Sequence, residues 1–124
     1  MFDQVIGHAF VTRVAGNIRT PEIIASLGYG AAVHGTRAIV VLGHEGCGAV
    51  KATIAGQEAP GQISSFYAPL RIPVERAGPN SEAAIKANAQ IQANLLSTAA
   101  LSWPVLLRRI GSSSSRDATV WPRV

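Results

Sequence analysis

The chain has 124 residues, of which 48% are hydrophobic and 15% charged. These proportions exclude an intrinsically disordered chain and indicate one small globular domain with its own core. The net charge of +4 comes from scattered residues, so we expect no nucleic-acid partner, which would need a basic face. The longest apolar runs are far shorter than the roughly 20 residues that cross a bilayer, so we expect no membrane span.

The number of cysteines in a chain indicates whether it is made for an oxidising or a reducing compartment. This chain has a single cysteine, Cys47. One cysteine cannot form an internal disulfide, which agrees with a reducing compartment. The N-terminus shows no basic region followed by an apolar stretch, so it does not resemble a signal peptide. We therefore expect a cytoplasmic protein.

The first 42 residues predict a strand, a helix and a second strand. Residues 9–15 mix β-branched and aromatic residues, as strands do. Thr20, Pro21 and Glu22 supply a hydroxyl cap, a proline and an acid, which is the pattern of a helix start. Residues 38–42 form a second β-branched run. This order is typical of a βαβ unit, so we expect a parallel sheet.

Further helices are predicted along the second half of the chain. Residues 48–55, closed by a glycine, predict one helix, and residues 63–74 predict another that is interrupted by Pro69 and Pro73. Residues 81–96 give the strongest helical periodicity.

The periodicity ends near Trp103, and the remaining residues show neither helical nor alternating patterning. We therefore divide the chain into an α/β domain, residues 1–102, and an atypical tail, residues 103–124, which we expect to be disordered.

His44 and Cys47 are the candidate metal ligands. They follow the second predicted strand and are flanked by glycines, and the carboxyl end of a parallel strand is where α/β sheets place their sites. An imidazole and a thiolate suit Zn²⁺. The alternative is a turn histidine beside a small buried thiol, and two ligands alone do not make a site.

Other candidate groups are weaker. His8 and His34 lie in or beside predicted loops, and Arg13 is out of phase with the apolar side of its strand, so all three are more typical of solvated residues. Asp3 and Glu45 are candidate bases, but no second carboxylate is placed beside either.

Four stretches carry a resemblance to a known family, namely residues 2–4, 9–17, 26–29 and 39–51. Together they resemble the β-class carbonic anhydrases. The resemblance implies that His44 and Cys47 correspond to two protein ligands of a catalytic zinc ion. It also implies an activity, the reversible hydration of carbon dioxide to bicarbonate, and a homo-oligomeric assembly.

The chain also departs from that family's pattern. The family's third zinc ligand and its Asp/Arg pair belong to a C-x-[DS]-x-R motif, which precedes the segment corresponding to residues 2–4 and does not occur in this sequence. We therefore assign no catalytic residue and expect an N-terminally truncated chain with an incomplete parallel-sheet domain and flanking helices. Residues 103–124 also differ from the family's final strand, and we interpret them as the product of a frameshift.

Three hypotheses remain open at this point. The chain is a carbonic anhydrase impaired by the loss of one zinc ligand, or an inactive fragment that binds metal weakly or associates with an intact subunit. The third is an α/β domain with no metal.

Overall fold

The computed structural model describes residues 5–36, 38–99 and 118–121. In this part of the chain, helices dominate, and two short strands pair with each other. The helices are α1 (Pro21–Ala32), α2 (Gly48–Ala55), α3 (Tyr67–Ala77) and α4 (Ser81–Ala99), the strands are β1 (Ile39–Leu42) and β2 (Ala118–Trp121), and short 3-10 turns span Ala15–Asn17 and Gly61–Phe66. The structure is therefore mixed and rich in helix.

Helix α1 begins at the residues that the sequence predicts. The Thr20 hydroxyl accepts a hydrogen bond from the backbone N–H of Ile23 at 3.4 Å, and Pro21 occupies the first helical position, where no backbone donor is needed. The Thr20 side chain also bonds the Glu22 carboxylate, and this bond, with help from the backbone N–H of Glu22, lowers the pKa of Glu22 below its ordinary value.

The predicted bounds of α2 and the predicted start of α4 are confirmed, whereas the prolines of α3 behave differently from the prediction. Helix α2 is capped at its C-terminal end by Gly56, which has a φ of 61° and donates its N–H to the carbonyl of Ala52 at 3.1 Å. Pro69 is the third residue of α3, where an N–H has no partner within the helix. Pro73 lies inside α3 without ending it. Because Pro73 is fully buried, its packing offsets the lost hydrogen bond.

The core has two parts that share helix α4. The first is built from buried residues of α2, α3, α4, the loop before α1 and the connection before α2: Ile18, Cys47, Val50, Leu70, Ala84 and Ile85. The second lies between β1 and α4 and contains Ile39, Val41, Ala89, Ala93 and Leu96, with Ile24 and Leu27 of α1 packed against it. Strand β1 therefore lies against α4 with its alternate residues buried.

The predicted strand over residues 9–15 is wrong. Residues 9–14 have no regular secondary structure, and Ala15 begins a 3-10 turn. Val14 has extended backbone angles, a φ of −150° and a ψ of 150°, so the local preference is that of a strand. A strand also needs a hydrogen-bonded neighbour, and no described segment pairs with residues 9–14.

The expected parallel sheet is likewise not observed within the described ranges. Strand β1 pairs with β2 in antiparallel orientation, with Ile39 opposite Trp121 and Leu42 opposite Ala118. Because residues 9–15 form no strand, the βαβ unit predicted from them is absent there.

Residues 100–117 and 122–124 lie outside the described residues. The predictions of disorder and of a frameshift for residues 103–124 therefore fall mainly outside the described part of the chain. Residues 118–121 form β2, although the patterning of the tail predicted no strand. Among the described helices, none is both long enough and apolar enough to cross a membrane.

Candidate metal centre

His44 and Cys47 lie in the short connection between β1 and α2. Strand β1 ends at Leu42, and the connection turns at Gly46 before α2 begins at Gly48. The side chain of His44 is exposed, whereas Cys47 is 5% exposed and belongs to the first part of the core. One candidate ligand therefore has a fixed, packed position, and the other faces solvent.

Cys47 is the residue that precedes the first turn of α2. It has a φ of −51° and a ψ of 113°, and its carbonyl accepts the N–H of Lys51 at 3.1 Å. Its backbone is thus held by the helix, and its thiol is free rather than joined in a disulfide. The helix start and the apolar packing together fix where the sulfur lies.

Two glycines shape the connection for steric reasons. A Cβ on Gly43 would lie 2.8 Å from Cγ2 of Ile85, so the end of β1 packs directly against α4 with no room for a side chain. Gly46 has a φ of 71°, a conformation that costs other residues more than glycine. The glycines therefore allow the close packing and the sharp turn that bring His44 and Cys47 onto one short loop.

The donor chemistry of this loop fits zinc in type but supplies two protein ligands. Imidazole nitrogen and thiolate sulfur are common zinc ligands, and a catalytic zinc usually has three. Within the described ranges, no group of three or more His, Cys, Asp or Glu side chains is placed to hold a metal ion.

None of the other candidate residues that the structure describes is placed to add a ligand to His44 and Cys47. His8, Arg13 and Glu45 are exposed. His34 is exposed as well, and its ring lies 5.7 Å from that of Phe10 and 5.3 Å from that of Tyr29, measured between centroids. Asp3 lies outside the described residues.

A buried hydrogen-bonded network beside the loop was not predicted. Asn88 and Gln92 of α4 are 4% and 2% exposed, and they bond the segment that precedes α1. Asn17 in that segment donates its side-chain N–H to the carbonyl of Leu42 at 2.8 Å. The available signal was the position of Asn88 within the apolar periodicity of α4, where a polar residue needs a buried partner.

Comparison with known proteins gives consistent matches. A family model described as carbonic anhydrase matches residues 1–103. Carbonic anhydrase from Mycolicibacterium smegmatis is 40% identical over 80 residues, which cover 64% of this chain and 37% of that protein. Carbonic anhydrase 2 from Mycobacterium tuberculosis is 39% identical over 80 residues, with the same two coverages of 64% and 37%.

The matched region therefore spans little more than a third of the length of these curated relatives. No solved structure matches the chain significantly.

Proposed function

Because this chain belongs to the β-class carbonic anhydrase family, we propose that it takes part in the zinc-dependent, reversible hydration of carbon dioxide to bicarbonate. His44 and Cys47 are the two zinc ligands that this chain contributes. The observation that carries the proposal is their placement at the carboxyl end of β1 and the start of α2, with the sulfur position fixed by the core.

Cys47 and His44 hold the metal from different surroundings. Buried Cys47 supplies a thiolate at a fixed position, and exposed His44 supplies an imidazole from the solvent side. When bound, zinc supplies a Lewis acid that brings the pKa of a water ligand to about 7. Gly43 lets the loop begin close to α4, and exposed His44 places the metal on the side that solvent and a small substrate reach.

We further propose that the activity of this chain alone is impaired. Cys47 is the only cysteine among its 124 residues, and two protein ligands hold zinc less firmly than three or four. The alternative function, favoured by the same observation, is an inactive subunit that binds metal weakly or associates with an intact carbonic anhydrase subunit.

Self-association is the assembly we propose for the folded chain. The segment before α1 exposes several apolar side chains, Val5, Ile6, Phe10 and Val11, which are 65%, 103%, 40% and 65% exposed. These side chains lie close together in the sequence, and extensive exposed apolar surface is typical of protein contacts. A cytoplasmic location remains a prediction from the sequence.

Zinc content and carbon dioxide hydration, measured on the purified chain, test the proposal. We expect the chain to bind zinc in equilibrium dialysis and His44→Ala to bind less of it. His34→Ala is the matched control, because it removes an exposed imidazole from another part of the surface. Stopped-flow hydration above the buffer rate supports an active enzyme, whereas zinc binding without hydration supports the inactive subunit. Equal zinc content in all three proteins would contradict the assignment of His44.

A further inference from the structure

The polar network between α4 and the end of β1 contains four hydrogen bonds, three of which donate in one continuous series. The backbone N–H of Arg19 donates to Oε1 of Gln92 at 2.9 Å, and Nε2 of Gln92 donates to Oδ1 of Asn88 at 3.0 Å. Nδ2 of Asn88 then donates to the carbonyl of Gly16 at 2.7 Å. Asn88 and Gln92 therefore hold both ends of the segment from Gly16 to Arg19.

Asn17 lies within that segment and reaches in the opposite direction. Its Nδ2 donates to the carbonyl of Leu42, the last residue of β1, at 2.8 Å. Asn17 has a φ of 49°, and it is the one residue other than glycine with a positive φ in the described ranges. Such a conformation persists where surrounding contacts enforce it, and here the two amides of α4 provide those contacts.

The neighbouring glycine adds a steric constraint. A Cβ on Gly16 would lie 2.9 Å from Cδ1 of Leu70, and Gly16 is buried. The segment is thus pressed into the core as well as bonded to α4. In this conformation of the segment, the Asn17 side chain points at the carbonyl of Leu42, where β1 ends.

We infer that Asn17 is a positioning residue for the ligand loop, defined as residues 43–47, and that Asn88 and Gln92 hold Asn17 in its working conformation. The bond from Asn17 fixes the carbonyl at which β1 ends, one residue before that loop begins. The consequence for metal affinity rests on the proposed function, whereas the consequence for the mobility of the loop does not. Groups that orient a metal ligand from outside typically change metal affinity by about 10- to 100-fold.

Two substitutions of Asn17 remove the donor in different ways. Asn17→Gly removes the side chain while retaining a residue that accepts a positive φ. Asn17→Asp retains the shape and places a carboxylate oxygen against the carbonyl of Leu42. The control is Asn80→Ala, which removes the side-chain bond from Asn80 to the N–H of Ala83 at the start of α4, an exposed cap.

Amide hydrogen exchange, measured residue by residue without metal, is the first readout. In both Asn17 variants we expect exchange of the Lys51 amide, which donates to the carbonyl of Cys47 in the ligand loop, to accelerate roughly tenfold, the effect of one lost hydrogen bond, while α1 exchanges at the wild-type rate. Asn80→Ala is expected to leave the exchange of the Lys51 amide unchanged. Unchanged exchange at Lys51 in the Asn17 variants, or an equal acceleration throughout the chain, would overturn the inference.

Titration with Co²⁺ is the second readout, and it separates this inference from the proposed function. If the wild-type chain binds Co²⁺, Asn17→Gly is expected to weaken binding about tenfold or more, and equal affinity would overturn the role of Asn17 at the metal. If the wild-type chain binds no Co²⁺, the proposed zinc site fails. The exchange measurement still decides whether Asn17 positions the loop.

Discussion

Residues 39–42 and residues 9–14 are both rich in β-branched side chains, yet they have opposite surroundings. In β1, Ile39 and Val41 are 6% and 5% exposed and pack against α4. In the N-terminal segment, Val11 is 65% exposed, and none of residues 9–14 belongs to a strand. The difference shows that a segment rich in β-branched residues forms a strand where a helix covers one face and another strand supplies hydrogen bonds.

The N-terminal segment is nevertheless attached at two points. The ring of Phe10 lies against α1, since a Cβ on Gly30 would be 3.0 Å from Cδ1 of Phe10. Val14, at the other end of the segment, packs against the first part of the core. The segment is therefore held at Phe10 and Val14, whereas Val11 between them faces solvent.

A matched pair of isoleucine substitutions gives the largest expected contrast between the two regions. Ile39→Ala empties part of the core beside α4 and should lower the free energy of unfolding by about 3 kcal/mol. Ile6→Ala removes an isoleucine that is 103% exposed and should change it by less than about 0.5 kcal/mol. Urea denaturation followed by circular dichroism measures both, and similar losses would show that Ile6, and not only β1, is packed.

The polar network is expected to give the next largest effect. Asn88→Leu preserves approximate side-chain size but leaves the carbonyl of Gly16 and the Nε2 of Gln92 without their partner. We expect a loss of about 2 kcal/mol in unfolding free energy, the cost of burying unsatisfied polar groups. Asn94→Leu on the exposed side of the same helix is the control and should have little effect. A neutral Asn88→Leu would show that the network contributes nothing to stability.

The smallest expected effect is a pH dependence of stability that arises from one exposed ion pair. Nζ of Lys86 lies 2.8 Å from Oε1 of Glu82 on α4, and this hydrogen bond, together with the charge of Lys86, lowers the pKa of Glu82 below its ordinary value of 4.5. Because the pKa is lowered in the folded state, the pair stabilises the protein fully above pH 4.5, and the contribution is lost as the pH falls through the lowered value.

Glu82→Gln tests that pH dependence. Between pH 6 and pH 3, the midpoint temperature of thermal unfolding should fall slightly less steeply in Glu82→Gln than in the wild type. Parallel curves would mean that the pair has no net effect, as is common for exposed ion pairs.

Much of the helical framework follows from local sequence signals. Thr20 and Pro21 mark the start of α1, and Gly56 marks the end of α2, because caps depend on residues within one turn. The strand over residues 38–42 was predictable for the same reason, since its β-branched run is continuous. Each of these features is decided by neighbours in sequence.

The remaining features depend on distant partners. Asn17 bonds a residue 25 positions away, and Asn88 bonds one 72 positions away, so neither role is visible in local patterning. The prediction for residues 9–15 failed because strand pairing is also a long-range property. At the candidate site, the residue types and spacing of His44 and Cys47 were evident from the sequence, whereas the burial of one and exposure of the other required the fold.

The central claim is that His44 and Cys47 bind the same metal ion, and Co²⁺ absorption spectroscopy tests it most directly. A thiolate bound to Co²⁺ gives a charge-transfer band, so we predict this band in the wild-type chain and in His34→Ala. We predict its loss in Cys47→Ala and its weakening in His44→Ala at the same Co²⁺ concentration. A wild-type spectrum without the band, or a band that persists in Cys47→Ala, would contradict the claim.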